Sequence, residues 1–151
     1  MRTVSGIDGL RQLAGTDLEP GSWWEVTQDR VNRFADATGD HQWIHVDVER
    51  ARGGPFGGTI AHGYLTLSLL IPLWSDVLRI EDIGMAVNYG LNRVRFPAPV
   101  PVGAKVRLLA RVASVRDVRD DGVEVVVAMT VERDGGDKPV AVAEVVYRYY
   151  P

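Results

Sequence analysis

The chain has 151 residues, with 46% hydrophobic and 25% charged side chains, a size and composition that fit one soluble domain with a substantial core. A net charge of −3 excludes a general nucleic-acid binder, which carries a basic excess. The absence of cysteine excludes disulfides, thiol nucleophiles and thiolate metal sites, and suits a reducing, cytoplasmic setting.

The N-terminal residues Met1 to Asp8 lack the apolar stretch of a secretory signal. Residues 1–21 read as an N-terminal extension, with a short helix over Ile7 to Leu13 and a loop through Glu19-Pro20-Gly21. A first strand is expected from Ser22 to Val26. Thr27 is a good N-cap for a helix whose apolar stripe is Val31, Phe34 and Ala35, and Gly39 ends it. Residues 40–61 are loop-like, most flexible at Gly53-Gly54-Pro55-Phe56-Gly57-Gly58, and a loop of that length in a compact domain is a functional candidate.

From Gly63 to Leu78 the chain is apolar around most of a helical circumference, so this helix belongs in the core, with Pro72 marking a kink. The run is too short and too interrupted by polar residues to span a bilayer, and no membrane association is expected. The period then changes to two. Strands are expected over Met85 to Phe96, Lys105 to Val112, Val123 to Glu132 and Ala141 to Tyr149. Asp120-Asp121-Gly122 and Asp134-Gly135-Gly136 supply turns between the last three. The fold class is therefore α+β: one apolar helix packed along a curved antiparallel sheet.

All three histidines, His41, His45 and His62, fall within residues 41–62. Asp40 and His45 carry the two side-chain types best suited to moving protons near neutral pH. In a continuous helix they diverge by about 140°, and fully extended they stand about 16–17 Å apart. They meet only if the chain turns between them, and Gly39 allows a break just before. The spacing of the histidines matches no standard metal-ligand motif, so no metal is expected. Gly53 to Gly58 lacks the Lys-Ser/Thr ending of a phosphate-binding loop. His41 reads as an exposed loop residue.

The segment Phe34, Thr38-Gly39-Asp40-His41-Gln42-Trp43-Ile44-His45 with Ala51 six positions on resembles the motif of the MaoC-like dehydratases, or R-specific enoyl-CoA hydratases. Ala61-His62-Gly63 and Arg93-Val94-Arg95-Phe96-Pro97 resemble further elements of that family, so the likeness spans roughly residues 22–150. Two positions depart from it: Gln42 and Trp43 stand where the motif has Asn-Pro, which changes how the loop is braced and how wide the pocket is. The resemblance implies a single hot-dog domain over 1–151, a long central helix wrapped by the sheet, and at least a homodimer. It also implies reversible hydration of a trans-2-enoyl thioester, carried by CoA or acyl carrier protein, to a (3R)-3-hydroxyacyl thioester, with no cofactor. Asp40 and His45 then hold the water, and the backbone N–H of Gly63 receives negative charge on the thioester oxygen. Gly39, Gln42 and His62 support the pair, Trp43 and Tyr64 stand at the tunnel mouth, and Arg93 and Arg95, with Lys105 and Arg107 nearby, are candidates for coenzyme phosphates. Two other functions are open on the same fold: an acyl-CoA thioesterase, and a non-catalytic acyl-binding or dimerisation subunit.

Overall fold

The computed structural model describes residues 1–151. Its principal layer is a five-stranded antiparallel sheet built from β2 (Trp24–Glu25), β4 (Met85–Arg95), β5 (Lys105–Asp117), β6 (Val123–Arg133) and β7 (Ala141–Tyr150), in the order β2-β5-β6-β7-β4. Alternation decides which face is covered. Val106, Leu108, Ala110 and Val112 of β5 are buried, as are Val123, Val125, Val127, Met129 and Val131 of β6 and Ala141, Ala143, Val145, Tyr147 and Tyr149 of β7. Register shifts in β5 at Val112/Ser114 and in β4 at Asn88/Gly90 and Leu91/Arg93 are bulges, which bend and twist a sheet.

The apolar helix lies against that face as two segments, α5 (Gly63–Ser68) and α6 (Leu70–Val77). The single helix expected over 63–78 is interrupted at Leu69. Pro72 has no N–H for the Ser68 carbonyl, so one rung of the helical ladder is missing there. The bonds on either side survive, from Leu69 N to the Leu65 carbonyl at 2.9 Å and from Leu73 N to the Leu69 carbonyl at 3.1 Å, so the axis continues. Leu70, Leu73, Trp74 and Val77 face the sheet. Burying a side chain such as Leu73 contributes about 1.5–3 kcal/mol. Trp74 Nε1 donates to Tyr149 Oη at 2.9 Å, so the indole enters the core with its N–H satisfied.

The first residues are part of the core. A short strand β1 (Arg2–Ser5) pairs in parallel with β3 (Leu78–Glu81), which directly follows α6. Helix α1 (Gly6–Arg11) and the turn after it bury Leu10 and Leu13 completely. The chain then runs along the outer side of β5: Gly15, Leu18 and Gly21 donate to the carbonyls of Val112, Ala110 and Leu108 at 2.8, 2.9 and 3.0 Å. That edge of the sheet is therefore covered. The opposite edge, β4, has β7 on one side and nothing on the other, and most of its residues are exposed.

Helix α2 (Gln28–Thr38) starts where expected: Thr27 Oγ1 accepts from Arg30 N at 3.3 Å. It ends on Gly39 in the left-handed conformation at φ 76°, which a side chain strongly disfavours. The segment 40–61 contains two short helices, α3 (Trp43–Val46) and α4 (Val48–Arg52), the latter capped by Asp47. No helix is long and apolar enough to cross a membrane.

Candidate active site

The turn between Asp40 and His45 is held by two main-chain N–H groups. Gln42 N donates to Asp40 Oδ1 at 3.3 Å, and one residue later α3 begins, with His45 N donating to the Gln42 carbonyl at 3.0 Å. This folds five residues back on themselves. One side-chain ligand atom each from Asp40, His45 and His62 then lie within 4.8 Å of one another. The two expected groups and a third meet at one point.

His45 is 6% exposed. Its Nδ1 sits 2.7 Å from the Ile60 carbonyl. A carbonyl only accepts, so the Nδ1 proton is engaged and neutral His45 offers Nε2 as a lone pair. Burial pushes the imidazole below its ordinary pKa; the Ile60 bond opposes this, the neighbouring His62 reinforces it and the Asp40 charge opposes it. The Asp40 side chain is half exposed at 51%, at the water-facing rim of the group.

His62 is 2% exposed, with its Nε2 2.9 Å from the Asp40 backbone carbonyl and 3.9 Å from Asp40 Oδ2. Its ring stacks on His45 with centroids 3.8 Å apart and meets Phe34 at 5.0 Å in a tilted contact. Phe34, the aromatic residue of the motif, thus backs the histidine pair.

A cleft of about 360 Å³ opens beside these groups, lined by His45, Ile60, Gly63, Thr66, Phe56 and Phe96 among others. Gly63 is the first residue of α5, so its N–H has no acceptor within the helix. A Cβ at Gly63 meets the Phe96 ring at 3.1 Å, so glycine keeps this contact uncrowded. His45 and Gly63 line this cleft, whereas Gly39, Asp40 and Gln42 do not.

Two expected site residues are elsewhere. Trp43 is not at the cleft mouth: its ring has Arg50 stacked at 4.4 Å and packs so closely on Gly54 that a Cβ there meets it at 2.9 Å. It braces the glycine-rich loop, the task that Pro performs by rigidity in the motif. Tyr64 is 73% exposed and does not line the cleft, one residue on from Gly63 and so about 100° around the helix. Arg93 and Arg95 are on β4, with Arg95 donating to the Val94 carbonyl at 2.7 Å. Arg107 is occupied, bonded to Glu132 and stacked on Trp23 at 4.4 Å. His41 pairs with Asp36 at 2.9 Å on the surface, as its loop position suggests, and that bond raises its pKa.

Sequence reasoning missed Gln28. Its amide donates to the His45 carbonyl at 2.8 Å and accepts from Thr59 Oγ1 at 2.6 Å, tying α2 to both sides of the His45 loop. Phe56 and the role of Ile60 were missed too. Ile60 acts through its carbonyl, which leaves no mark on residue type.

Residues 10–134 match the family described as the MaoC like domain. The chain belongs to this family. It is 50% identical over 149 residues, 99% of both chains, to 3-hydroxyacyl-thioester dehydratase Z of Mycobacterium tuberculosis. Among solved structures it is similar to a monoamine oxidase regulatory protein from an Archaeoglobus species, with a TM-score of 0.78, 24% identity and coverage of 99% and 97% of the two chains. It is also similar to an (R)-hydratase from A. caviae, with a TM-score of 0.70 and 20% identity over 87% and 95%. These likenesses establish the hot-dog fold, a single α+β domain with the sheet curled around α5 and α6.

Proposed function

We propose that this MaoC-like protein is a hydro-lyase that interconverts a trans-2-enoyl thioester and a (3R)-3-hydroxyacyl thioester. The observation that carries the reading is the meeting of Asp40 and His45 beside a cleft that also holds the Gly63 amide. The whole-length relative named a 3-hydroxyacyl-thioester dehydratase supports it.

In the hydration direction, water sits between the Asp40 carboxylate and His45 Nε2. Asp40 takes a proton as the water oxygen bonds the β-carbon, and His45 Nε2 fixes the direction of attack. The π electrons of the double bond move toward the thioester oxygen, and the Gly63 N–H donates a hydrogen bond to the charge that develops there. The enolate then takes a proton at the α-carbon. With Nδ1 of His45 committed to Ile60, the pair starts with no proton of its own to give. The proton removed from water is therefore the one that the pair returns to carbon, and atoms balance without a cofactor. Dehydration is the reverse.

The acyl group occupies the cleft between Phe56 and Phe96. Arg93 and Arg95 carry the phosphates of the CoA or carrier-protein arm. The uncovered β4 edge supports a homodimer as the working unit, in which two copies pair along β4. We place it in the cytoplasm.

The test is crotonyl-CoA with the purified protein, following loss of the conjugated enoyl-thioester absorbance. Hydration by the wild type and near silence of Asp40→Asn and His45→Gln are expected. Release of free CoA without hydration overturns the reading in favour of a thioesterase. No reaction with short or long acyl chains, on CoA or carrier protein, overturns it in favour of a non-catalytic subunit.

A further inference from the structure

We infer that His62 is the positioning residue of this site, holding Asp40 and His45 in one geometry through a single hydrogen bond and a ring stack. This rests on the Asp40/His45 reading above and adds to it a residue that never meets the substrate.

Asp40 needs such a holder. It sits in a short loop after a helix end, half exposed, and the 3.3 Å contact from Gln42 N is a weak restraint on its carboxylate. Its backbone is fixed from behind instead. His62 Nε2 lies 2.9 Å from the Asp40 carbonyl, and because that oxygen only accepts, Nε2 carries the proton. The same ring lies nearly parallel to His45, 3.8 Å away and tilted by 26°, which restrains the plane of His45. Phe34 meets the His62 ring at 5.0 Å in a tilted contact.

His62 also anchors the third participant. Its carbonyl accepts from Thr66 N at 3.1 Å and from Thr66 Oγ1 at 3.3 Å, which starts the helix whose first residue is Gly63. Base, imidazole and amide donor therefore share one reference point. His62 is 2% exposed and does not line the cleft. Its Nδ1 is buried and bonds no protein group, so only Nε2 and the ring face do work. Catalytic geometry held this way is sensitive: a displacement of about 1 Å costs on the order of 100-fold in rate.

The two functions of the ring can be separated. His62→Phe keeps its shape and stack but removes the donor to Asp40. His62→Gln supplies an N–H at the position of Nε2 but no aromatic face. We expect His62→Phe to lower kcat by about 10–100-fold with KM within about threefold, and His62→Gln to recover most of that loss. Thermal midpoints of both are measured alongside. A kcat for His62→Phe within twofold of wild type overturns the inference, as does a His62→Gln enzyme equally slow. Losses that simply follow the thermal midpoint, with kcat and KM changing together, overturn it in favour of a packing role. If His62→Phe does not fold, Phe34→Leu removes the ring support and leaves Nε2–H in place; a threefold to tenfold fall in kcat is then expected, and an unchanged kcat overturns the assignment. Asp40→Asn and His45→Gln run in parallel. Activity in those two variants refutes the catalytic reading itself, whereas their silence beside a normal His62→Phe refutes only the positioning role.

Discussion

The Ile60 carbonyl lies 2.7 Å from Nδ1 of His45, and this bond leaves Nε2 as the free nitrogen of the neutral imidazole. Ile60 N also donates to the Ile44 carbonyl at 3.0 Å, so the segment before α5 clamps α3 on both faces of one residue. The His45 tautomer is set by the main chain, and no side-chain substitution at position 60 removes that acceptor.

Because burial lowers the His45 pKa, the neutral form persists below the ordinary value of 6.5. The proposed hydration uses Nε2 as an acceptor, so the acid limb of the wild-type kcat/KM profile is expected below pH 6.5. The sign for stability follows. The unfolded chain binds a proton at His45 that the folded chain resists, so this contribution is present above pH 6.5 and lost as pH falls toward the folded value. Urea denaturation at pH 7.5, 6.5 and 5.5 should show the wild type losing more stability over this range than His45→Gln does.

Gln28 is expected to matter well beyond its position on α2. Gln28→Leu removes the donor to the His45 carbonyl and the acceptor for Thr59, which is 7% exposed. Leaving such groups unpaired costs about 1–3 kcal/mol each. A lower denaturation midpoint together with a kcat reduced several-fold is the expected result, and it separates this residue from a solvated surface glutamine.

Much of this architecture is legible along the chain, and the illegible parts have a common cause. Period-two alternation marks β5, β6 and β7 because one face of each is buried against α5 and α6. Gly39, Asp40 and His45 are legible because their geometry is local. The pairing of β1 with β3 is not, since four exposed or half-buried residues, Arg2–Ser5, carry no alternation. Residues 15–21 cover the β5 edge through main-chain bonds alone. Trp43 misleads for a different reason: a large aromatic beside Asp40 and His45 looks like a pocket wall, and only its contacts with Arg50 and Gly54 show that it packs on the glycine-rich loop.

Gly63 allows the donor and the steric roles of one residue to be told apart. Gly63→Ala keeps the N–H but pushes a methyl group to 3.1 Å from the Phe96 ring. That ring is 42% exposed and can shift, so a modest rise in KM with kcat nearly retained is expected. Gly63→Pro removes the N–H at a helix position that tolerates proline. Losing a donor of this kind costs about 2.7–4 kcal/mol in the transition state, or about 100–1,000-fold in kcat. Combining it with Phe96→Ala relieves the contact; the loss should persist, and recovery in the double variant would assign the effect to crowding instead.

The open β4 edge makes the last expectation. Met85, Tyr89 and Leu91 are at least 45% exposed along it, and Ile71 of α6 is exposed beside Leu91 across a shared groove. An 11-residue edge strand with apolar side chains is a pairing surface unless something covers it, while the far edge of the same sheet is already closed by residues 15–25. Leu91→Lys places a charge in that groove without touching Asp40, His45 or Gly63. Sedimentation should find the wild type dimeric at micromolar concentration and the variant dissociating at least tenfold more readily, a change of about 1.4 kcal/mol. A wild type that stays monomeric at high concentration removes the β4 pairing, and with it the homodimer.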